Sequence, residues 1–362
     1  MDQPTTPATV TPLGPRAVSS PRLIETARSA WGLGPVTGTT DLGGTYNLNL
    51  RLQTDRESVV LRVHRPWVSP ARLAATQAIR LGLRELGLPV VAPLSACSGT
   101  MAVTVDGRLA EVEPWLPDDG GADDRDRLLV AAELLGQLHA GLRAVRPTVP
   151  IVPALVSNNL SLRVFDDWLA RTARAVGAVP RSDDTVVAEQ ACRDAEGIAR
   201  QARSILRATG VRQLVHGDYG HENVRFTGLV ATAIVDVDFL HEGERIVDLA
   251  DLAFSPHWMS EFGQLDLPPA DRDWDVVPDL IHRYDAAGGQ PLSMGEISVL
   301  PLAMAAVPLN WLAASWLLED PVAAVCLVAP ELVTAAWLIE HYHELAALWT
   351  SRQTYDLASP SP

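Results

Sequence analysis

Residues 215–239 read V-H-G-D-Y-G-H-E-N-V-R-F-T-G-L-V-A-T-A-I-V-D-V-D-F. An apolar lead-in delivers His216, Asp218 and Asn223 at the spacing H-x-D-x-x-x-x-N. After a turn at Thr227-Gly228, a second apolar run, Ala231 to Val235, delivers Asp236. Phosphoryl transfer from ATP needs this set: one carboxylate to orient an acceptor hydroxyl and take its proton, and an Asn with a second Asp to hold Mg2+ on the phosphates. A hairpin that happens to carry polar residues is the bland alternative, and the second Asp at hairpin distance makes it the weaker one. Asp218 is therefore expected to face the acceptor hydroxyl. His216, at the end of an apolar strand and before Gly217, is expected to brace the loop. Asn223 and Asp236 are the expected metal ligands, and alternation puts Asp238 on the same face as Asp236 as a further one.

Upstream, Gly43, Gly44, Thr45 and Asn47 lie in G-G-T-Y-N ahead of two strand-like runs, Leu48 to Leu52 and Val59 to Val63. Backbone N–H groups in such a loop can cap phosphates. Arg62 alternates with Leu61 and Val63 and so points away from them, which makes it the expected cation on the nucleotide phosphates. The chain contains no lysine, so a Walker A loop is excluded and any phosphate clamp must use arginine. A cation in this position is ordinarily held by a Glu on the following helix. Here no Asp or Glu occurs between Ser58 and Arg84, which leaves Gln77 or Glu85 for that task. Glu113, beside the segment joining the two halves, is the expected nucleotide contact there.

The 362 residues suffice for two lobes, and the net charge of −15 argues against nucleic acid or anionic membrane as a partner. Three scattered cysteines give neither a disulfide framework nor a zinc site, and fit the cytoplasm. Ile297 to Leu318 is uncharged and long enough to span a bilayer, but Pro301, Pro308 and Asn310 favour a buried core helix. Asp248 and Asp251 read as braces for the catalytic loop, and His139 as a satisfied core histidine. Trp311, Trp316 and Trp337 read as core, with one available to a substrate cavity. Acidic residues in the catalytic loop (Glu222), the linker (Asp118, Asp119, Asp123, Asp124) and a later loop (Glu261, Asp266, Asp271) suit a cationic acceptor.

The expected order is a loose tail (1–20), a small mixed α/β lobe (21–116), a larger α-rich lobe (117–350) and a second tail (351–362). Helices are expected at 21–32, 69–86, 128–145, 161–175, 185–209 and from 247, with two long apolar ones near 294–319 and 329–349. Residues 255–292 read as irregular.

V-H-G-D-Y-G-H-E-N-V, I-V-D-V-D-F and I-V-D-L-A-D-L-A resemble the aminoglycoside phosphotransferase and choline/homoserine kinase-like superfamily. G-G-T-Y-N-L-N-L, V-V-L-R-V-H-R-P and L-L-G-Q-L-H-A-G-L extend the similarity over about residues 22–255. The resemblance implies a bilobal, α+β, protein-kinase-like fold and ATP–Mg2+ phosphorylation of a hydroxyl on a small molecule, such as an antibiotic, an amino sugar or a similar metabolite. It puts the catalytic base on Asp218, metal on Asn223 and Asp236, and nucleotide on Gly43, Gly44 and Arg62. The alternative is a non-catalytic nucleotide-binding regulator of the same fold, suggested by the absent helix Glu. A protein kinase is disfavoured because Asp236 is followed by Val237-Asp238 rather than by the Phe-Gly of D-F-G.

Overall fold

The computed structural model describes residues 14–145, 151, 162–203, 210–258 and 262–358. The first lobe opens with α1 (Pro21–Trp31), started by a Ser20 cap that accepts from the Leu23 N–H. Strands β1 (Val36–Asp41), β2 (Leu48–Thr54), β3 (Ser58–Val63), β4 (Val103–Val105) and β5 (Arg108–Pro114) form one antiparallel sheet in the order β1-β2-β3-β5-β4. Period-two alternation sends Leu48, Leu50, Leu52, Leu61 and Val63 into a small core under Leu23, Ala27 and Trp31 of α1. Arg62 consequently emerges on the other face. Asp106 and Gly107, at φ 49° and 78°, make the expected tight turn between β4 and β5.

Helix α2 (Pro70–Glu85) begins at the Ser69 cap with Pro70 in its first turn, as its sequence predicts. Its apolar residues Ile79 and Leu83 join the core of the second lobe rather than the first. Val90 forms a parallel bridge with Ile234, so the chain touches the second lobe before returning to β4.

The second lobe is helical: α3 (Arg125–Ala144), α4 (Leu162–Gly177), α5 (Asp183–Arg203), α6 (Ile246–Trp258), α7 (Val276–Gly288), α8 (Met294–Ala314), α9 (Pro321–Val328), α10 (Leu332–Glu340) and α11 (Tyr342–Ala358). Two short antiparallel pairs interrupt it, β6 (Arg212–Val215) with β9 (His241–Glu244), and β7 (Val224–Thr227) with β8 (Val230–Ile234). Helices α3 and α7 approach closely at Gly136. A Cβ there would lie 2.5 Å from the Tyr284 carbonyl oxygen and 2.9 Å from the Gly288 nitrogen. Helix α8 carries Pro301 and Pro308 internally, begins with a Ser293–Glu296 capping box, and is mostly buried as expected. Among the described residues two helical stretches, Met294–Leu317 and Pro321–Glu340, are long and apolar enough to cross a membrane, and 72% of the most apolar window of the first is buried in the protein.

Several expectations need correction. Residues 255–292, read as irregular, contain α7. Its Pro278 sits in the first turn, where no intrahelical N–H is lost. The helix expected near 329–349 is divided at His341 into α10 and α11, and α9 precedes it. Of the expected first tail, residues 1–13 lie outside the described residues. Arg16, in the rest of it, pairs with Asp41 at 2.7 Å and donates to the carbonyls of Asn47 and Gly43. Helix α11 runs on into the expected second tail, of which residues 359–362 lie outside the described residues.

His257 of α6 is fully buried, its ring stacked on Trp274 at 3.9 Å between centroids. Neither ring nitrogen has a hydrogen-bond partner among the described residues. Burial, helped by the charge of Arg272, pushes its pKa down to about 3. The unfolded chain takes this proton near pH 6.5, so the unfolded state binds more protons in between. The associated stability is full above about pH 6.5 and is lost as pH falls, by about 2 kcal/mol at pH 5. Melting temperature is expected to drop by about 2–4 °C between pH 7 and pH 5 from this group. The Asp-, Glu- and other His-dependent part of the acid slope should survive in His257→Phe, and this part should vanish. An unchanged slope in that variant would assign the acid sensitivity elsewhere.

Candidate active site

Strand β6 ends at buried Val215 and hands the chain to the loop 216–223, which closes in a 3-10 turn at His221–Asn223 before β7. The loop turns at Gly217 (φ 82°), where a Cβ would lie 2.6 Å from the Phe239 carbonyl oxygen, so only glycine fits. Asp248, one residue pair into α6, holds the turn from beneath. Its carboxylate accepts from the His216 N–H at 2.7 Å and the Gly217 N–H at 2.8 Å, and bonds His139 Nε2 at 2.9 Å. His139 Nδ1 bonds the Tyr284 hydroxyl at 2.8 Å, which ties the loop to α3 and α7. Burial works against the Asp248 charge, but His139, His216 and the Gly217 amide outweigh it and hold its pKa below the ordinary range. The reading of Asp248 as a brace and His139 as a satisfied core histidine agrees with this geometry. Asp248→Ala would strand two amides and one imidazole in the core. A loss of about 3 kcal/mol in urea unfolding is expected, together with lower turnover. A loss under 1 kcal/mol would show that the loop stands without it.

His216 is buried, edge-on to Tyr219, with Nε2 against the Val235 carbonyl at 3.1 Å. Burial keeps its pKa below the ordinary value, so it is a neutral prop inside the loop. Asn223 Nδ2 donates to the Asp218 carbonyl at 2.7 Å and to its carboxylate at 3.3 Å, which leaves Asn223 Oδ1 as a neutral oxygen for a cation. The Asn223 carbonyl accepts from Val235 N–H at 2.9 Å, which brings Asp236 alongside. Asp236 has φ 58° and ψ 51°, a left-handed conformation that Asp tolerates better than most residues.

Arg62 crosses from β3 to this point. Its Nη2 reaches Asp236 Oδ1 at 2.6 Å and Asp238 Oδ2 at 2.8 Å. Burial opposes its charge, but Asp236, Asp238, Glu113 and Glu111 together keep the guanidinium firmly protonated. Asp238 also accepts from Asn47 Nδ2, and the Asp238 and Leu240 carbonyls accept from Arg72 of α2. The carboxylate of Asp238 thus spans the two lobes, and the expectation that it adds a metal contact competes with two protein donors already on Oδ2.

Neither Gln77 nor Glu85 pairs with Arg62. Glu85 is exposed, and Gln77 donates to Glu111 at 2.7 Å. The usual polarity is inverted: α2 supplies the cation, Arg80, and β5 supplies the acids. Arg80 bonds Glu111 at 2.8 Å and also Glu113. Register places Glu111 directly across from Arg62. The buried side chain of Glu113 is held by Arg80 and its main chain lies in register with Val60.

Gly43 and Gly44, at φ 80° and 105°, form a left-handed loop between β1 and β2. The Gly43 N–H donates to Asp41 at 2.9 Å, and Arg16 and Asn49 donate to its carbonyl. Thr45 and Tyr46 follow and reach over the catalytic loop, with Tyr46 edge-on to Phe239 at 5.4 Å. Beneath them opens a cavity of about 340 Å3 lined by Asp218, Glu222, Asp251, Phe254, Trp258 and Trp311 among others. Asp251 is a correction: it lines this cavity and does not brace the loop. The linker acids are also otherwise engaged. Asp118 pairs with Arg225, Asp119 accepts from Gly228 N–H, and Asp124 caps α3. Glu261 lies outside the described residues, and Asp266 and Asp271 are exposed. Trp311 is the tryptophan that meets the cavity, while Trp316 packs on Trp168 and Trp337 stacks on Trp274.

Among the described residues no cluster of three or more His, Cys, Asp or Glu is placed to hold a metal ion unaided. Asn223 and Asp236 nevertheless fit Mg2+, which binds through one or two protein oxygens together with substrate phosphates.

No curated protein matches the chain in sequence. Among solved structures, a microcompartment-associated aminopropanol kinase is similar with TM-score 0.64 and 17% identity, over 90% of this chain and 98% of that one. Amicoumacin kinase hAmiN, in complex with AMP-PNP, Ca2+ and Ami, gives TM-score 0.61 and 14% identity over 86% and 92%. Spectinomycin phosphotransferase APH(9)-Ia, in complex with ADP and spectinomycin, gives TM-score 0.61 and 11% identity over 89% and 99%. These likenesses establish the bilobal fold. The phosphotransferase enzyme family APH matches residues 37–291. The chain belongs to that family and is a small-molecule kinase.

Proposed function

We propose that the protein transfers the γ-phosphoryl group of ATP to a hydroxyl of a small molecule, with Asp218 at the acceptor and Asn223 and Asp236 as the ligands of Mg2+. The observation that carries the proposal is convergence: Asp218, Asn223 and Asp236 meet between a glycine loop and a substrate-sized cavity, with a buried arginine at the same point. Bound Mg2+ would neutralise charge on the phosphates and hold them in line.

The protein's own groups do the rest. Asp218 aligns the acceptor oxygen for in-line attack and takes its proton late in the step. The Gly43-Gly44 loop with Thr45 covers the phosphates and keeps water away from them. Arg62, freed from part of its contact with Asp236, places a permanent charge on the phosphate chain. Asn47 and Asp238 hold the two lobes in register around that chain, which is a role distinct from metal binding. The regulator reading drew on the missing helix Glu; here Arg62 is held by Asp236 and Asp238 instead, and α2 is tied to β5 by the Arg80–Glu111–Glu113 set.

Neighbours of the same fold act on an amino alcohol and on antibiotics, so both classes enter the acceptor panel. Incubation with Mg-ATP and acceptor, followed by 31P spectroscopy of the product, tests the assignment. A phosphate monoester formed only in the presence of acceptor is the expected product; ATP hydrolysis with no monoester from any acceptor would count against it.

A further inference from the structure

The cavity beneath Thr45 and Tyr46 has two unlike sides. Trp258 of α6 and Trp311 of α8 pack edge to face at 4.9 Å, and with Phe254, Val307 and Leu327 they give an apolar wall. The other side presents Asp218, Glu222 and Asp251, and no arginine is among the described residues that line the space. Asp251 is the informative one. It lies one helical turn after Asp248, on the same side of α6. Asp248 is saturated with donors, whereas the Asp251 carboxyl has no hydrogen-bond or ion-pair partner among the described residues. Burial, then the charges of Asp218 and Asp248, raise its pKa well above the ordinary range. An unpartnered carboxyl facing a cavity and repelled by two others is relieved by one arriving cation.

Resting on the reading of Asp218 as the acceptor-facing group, we infer that Asp251 is a specificity-determining residue that selects an acceptor with a single ammonium close to its reacting hydroxyl and an apolar body against Trp258 and Trp311. A space of about 340 Å3 is at the small end for ligand pockets. Its aromatic wall offers little to a polyhydroxylated ring bearing several amines, because that wall cannot replace the water such groups lose. Stacked against indole faces, an ammonium-bearing apolar body gains both burial and cation–π attraction.

The test is calorimetric titration of the full-length protein, saturated with AMP-PNP and Mg2+, with a matched pair of probes. 2-Amino-1-phenylethanol carries the amine; 1-phenyl-1,2-ethanediol replaces it with a neutral hydroxyl. The amine is expected to bind about 10- to 100-fold more tightly, the scale of a charge-assisted bond in a partly buried site. Asp251→Asn, whose folding is checked by its melting temperature, should shrink that preference to about threefold or less. Trp311→Leu should weaken both probes while leaving the preference in place. Equal binding of the two probes, binding of neither, or a preference undiminished in Asp251→Asn would overturn the inference. Transfer assays separate it from the reading it rests on. Tight, Asp251-dependent binding of the amine without phosphoryl transfer would leave the selectivity standing and count against the catalytic reading. Transfer to the diol as fast as to the amine would sustain the catalytic reading and overturn the selectivity.

Discussion

Asp218→Asn is expected to lower turnover by about 10^3-fold while leaving affinity for Mg-AMP-PNP within about threefold of wild type. The substitution is isosteric, and the loop that carries the side chain is held from elsewhere. Asp248 grips the His216 and Gly217 amides, and Asn223 Nδ2 grips the Asp218 main-chain carbonyl. The amide in the variant can still approach an acceptor hydroxyl, but it cannot take its proton. The effect should therefore fall on kcat rather than on binding of nucleotide. Single-turnover assays beside nucleotide titration separate the two. Near-normal turnover would remove Asp218 from the reaction, and a parallel collapse of nucleotide affinity would mean that the residue shapes the cleft instead.

Asp236→Asn should behave differently. Asp236 is the negatively charged member of the proposed metal pair and also the partner of Arg62 at 2.6 Å. Loss of one carboxylate charge removes a charge-assisted contact to the cation and leaves Arg62 leaning on Asp238 alone at 2.8 Å. A weakening of Mg-AMP-PNP binding by about 10- to 100-fold is expected, with turnover falling as well. The dependence of nucleotide affinity on Mg2+ concentration should flatten. A variant that kept the wild-type Mg2+ dependence would place the metal elsewhere and leave Asp236 as an anchor for Arg62. Comparison with Asp238→Asn sharpens the point. That variant disturbs the contact between lobes through Asn47 and Arg62, yet should retain the wild-type Mg2+ dependence.

Much of this was legible in sequence because the signals are local. H-x-D-x-x-x-x-N and the following Asp lie within 21 positions, His216 to Asp236, and a loop and one hairpin bring them together. Ser69-Pro70 marks a helix start by capping chemistry alone, and Leu48 to Val63 marks two strands by alternation. Arg62 pointing away from Leu61 and Val63 follows from the same alternation. Pairings set by register between distant elements were not legible. Arg80 finds Glu111 and Glu113 across more than 30 positions because α2 crosses the sheet there, and no spacing rule connects them. Arg16 lies in a Pro- and Thr-rich stretch whose composition hides its hold on Asp41 and Gly43.

Asp251 illustrates the limit most clearly. In the sequence Asp248 and Asp251 look alike, each followed by Leu-Ala on one helix. Only packing distinguishes them. One meets a backbone turn and a histidine, and the other meets an open space walled by Trp258 and Trp311. Helix α7 was hidden for a related reason: Pro278 reads as a breaker until its place in the first turn is known.

Asp218 is proposed to serve phosphoryl transfer from Mg-ATP to a small hydroxylated acceptor. The most direct test of this role is ADP release across a panel of amino alcohols, diols, aminoglycosides and other antibiotics, run with wild type and Asp218→Asn side by side. Acceptor-dependent release that disappears in the variant is the predicted result. Release that is independent of acceptor, or that persists unchanged in Asp218→Asn, would contradict the account.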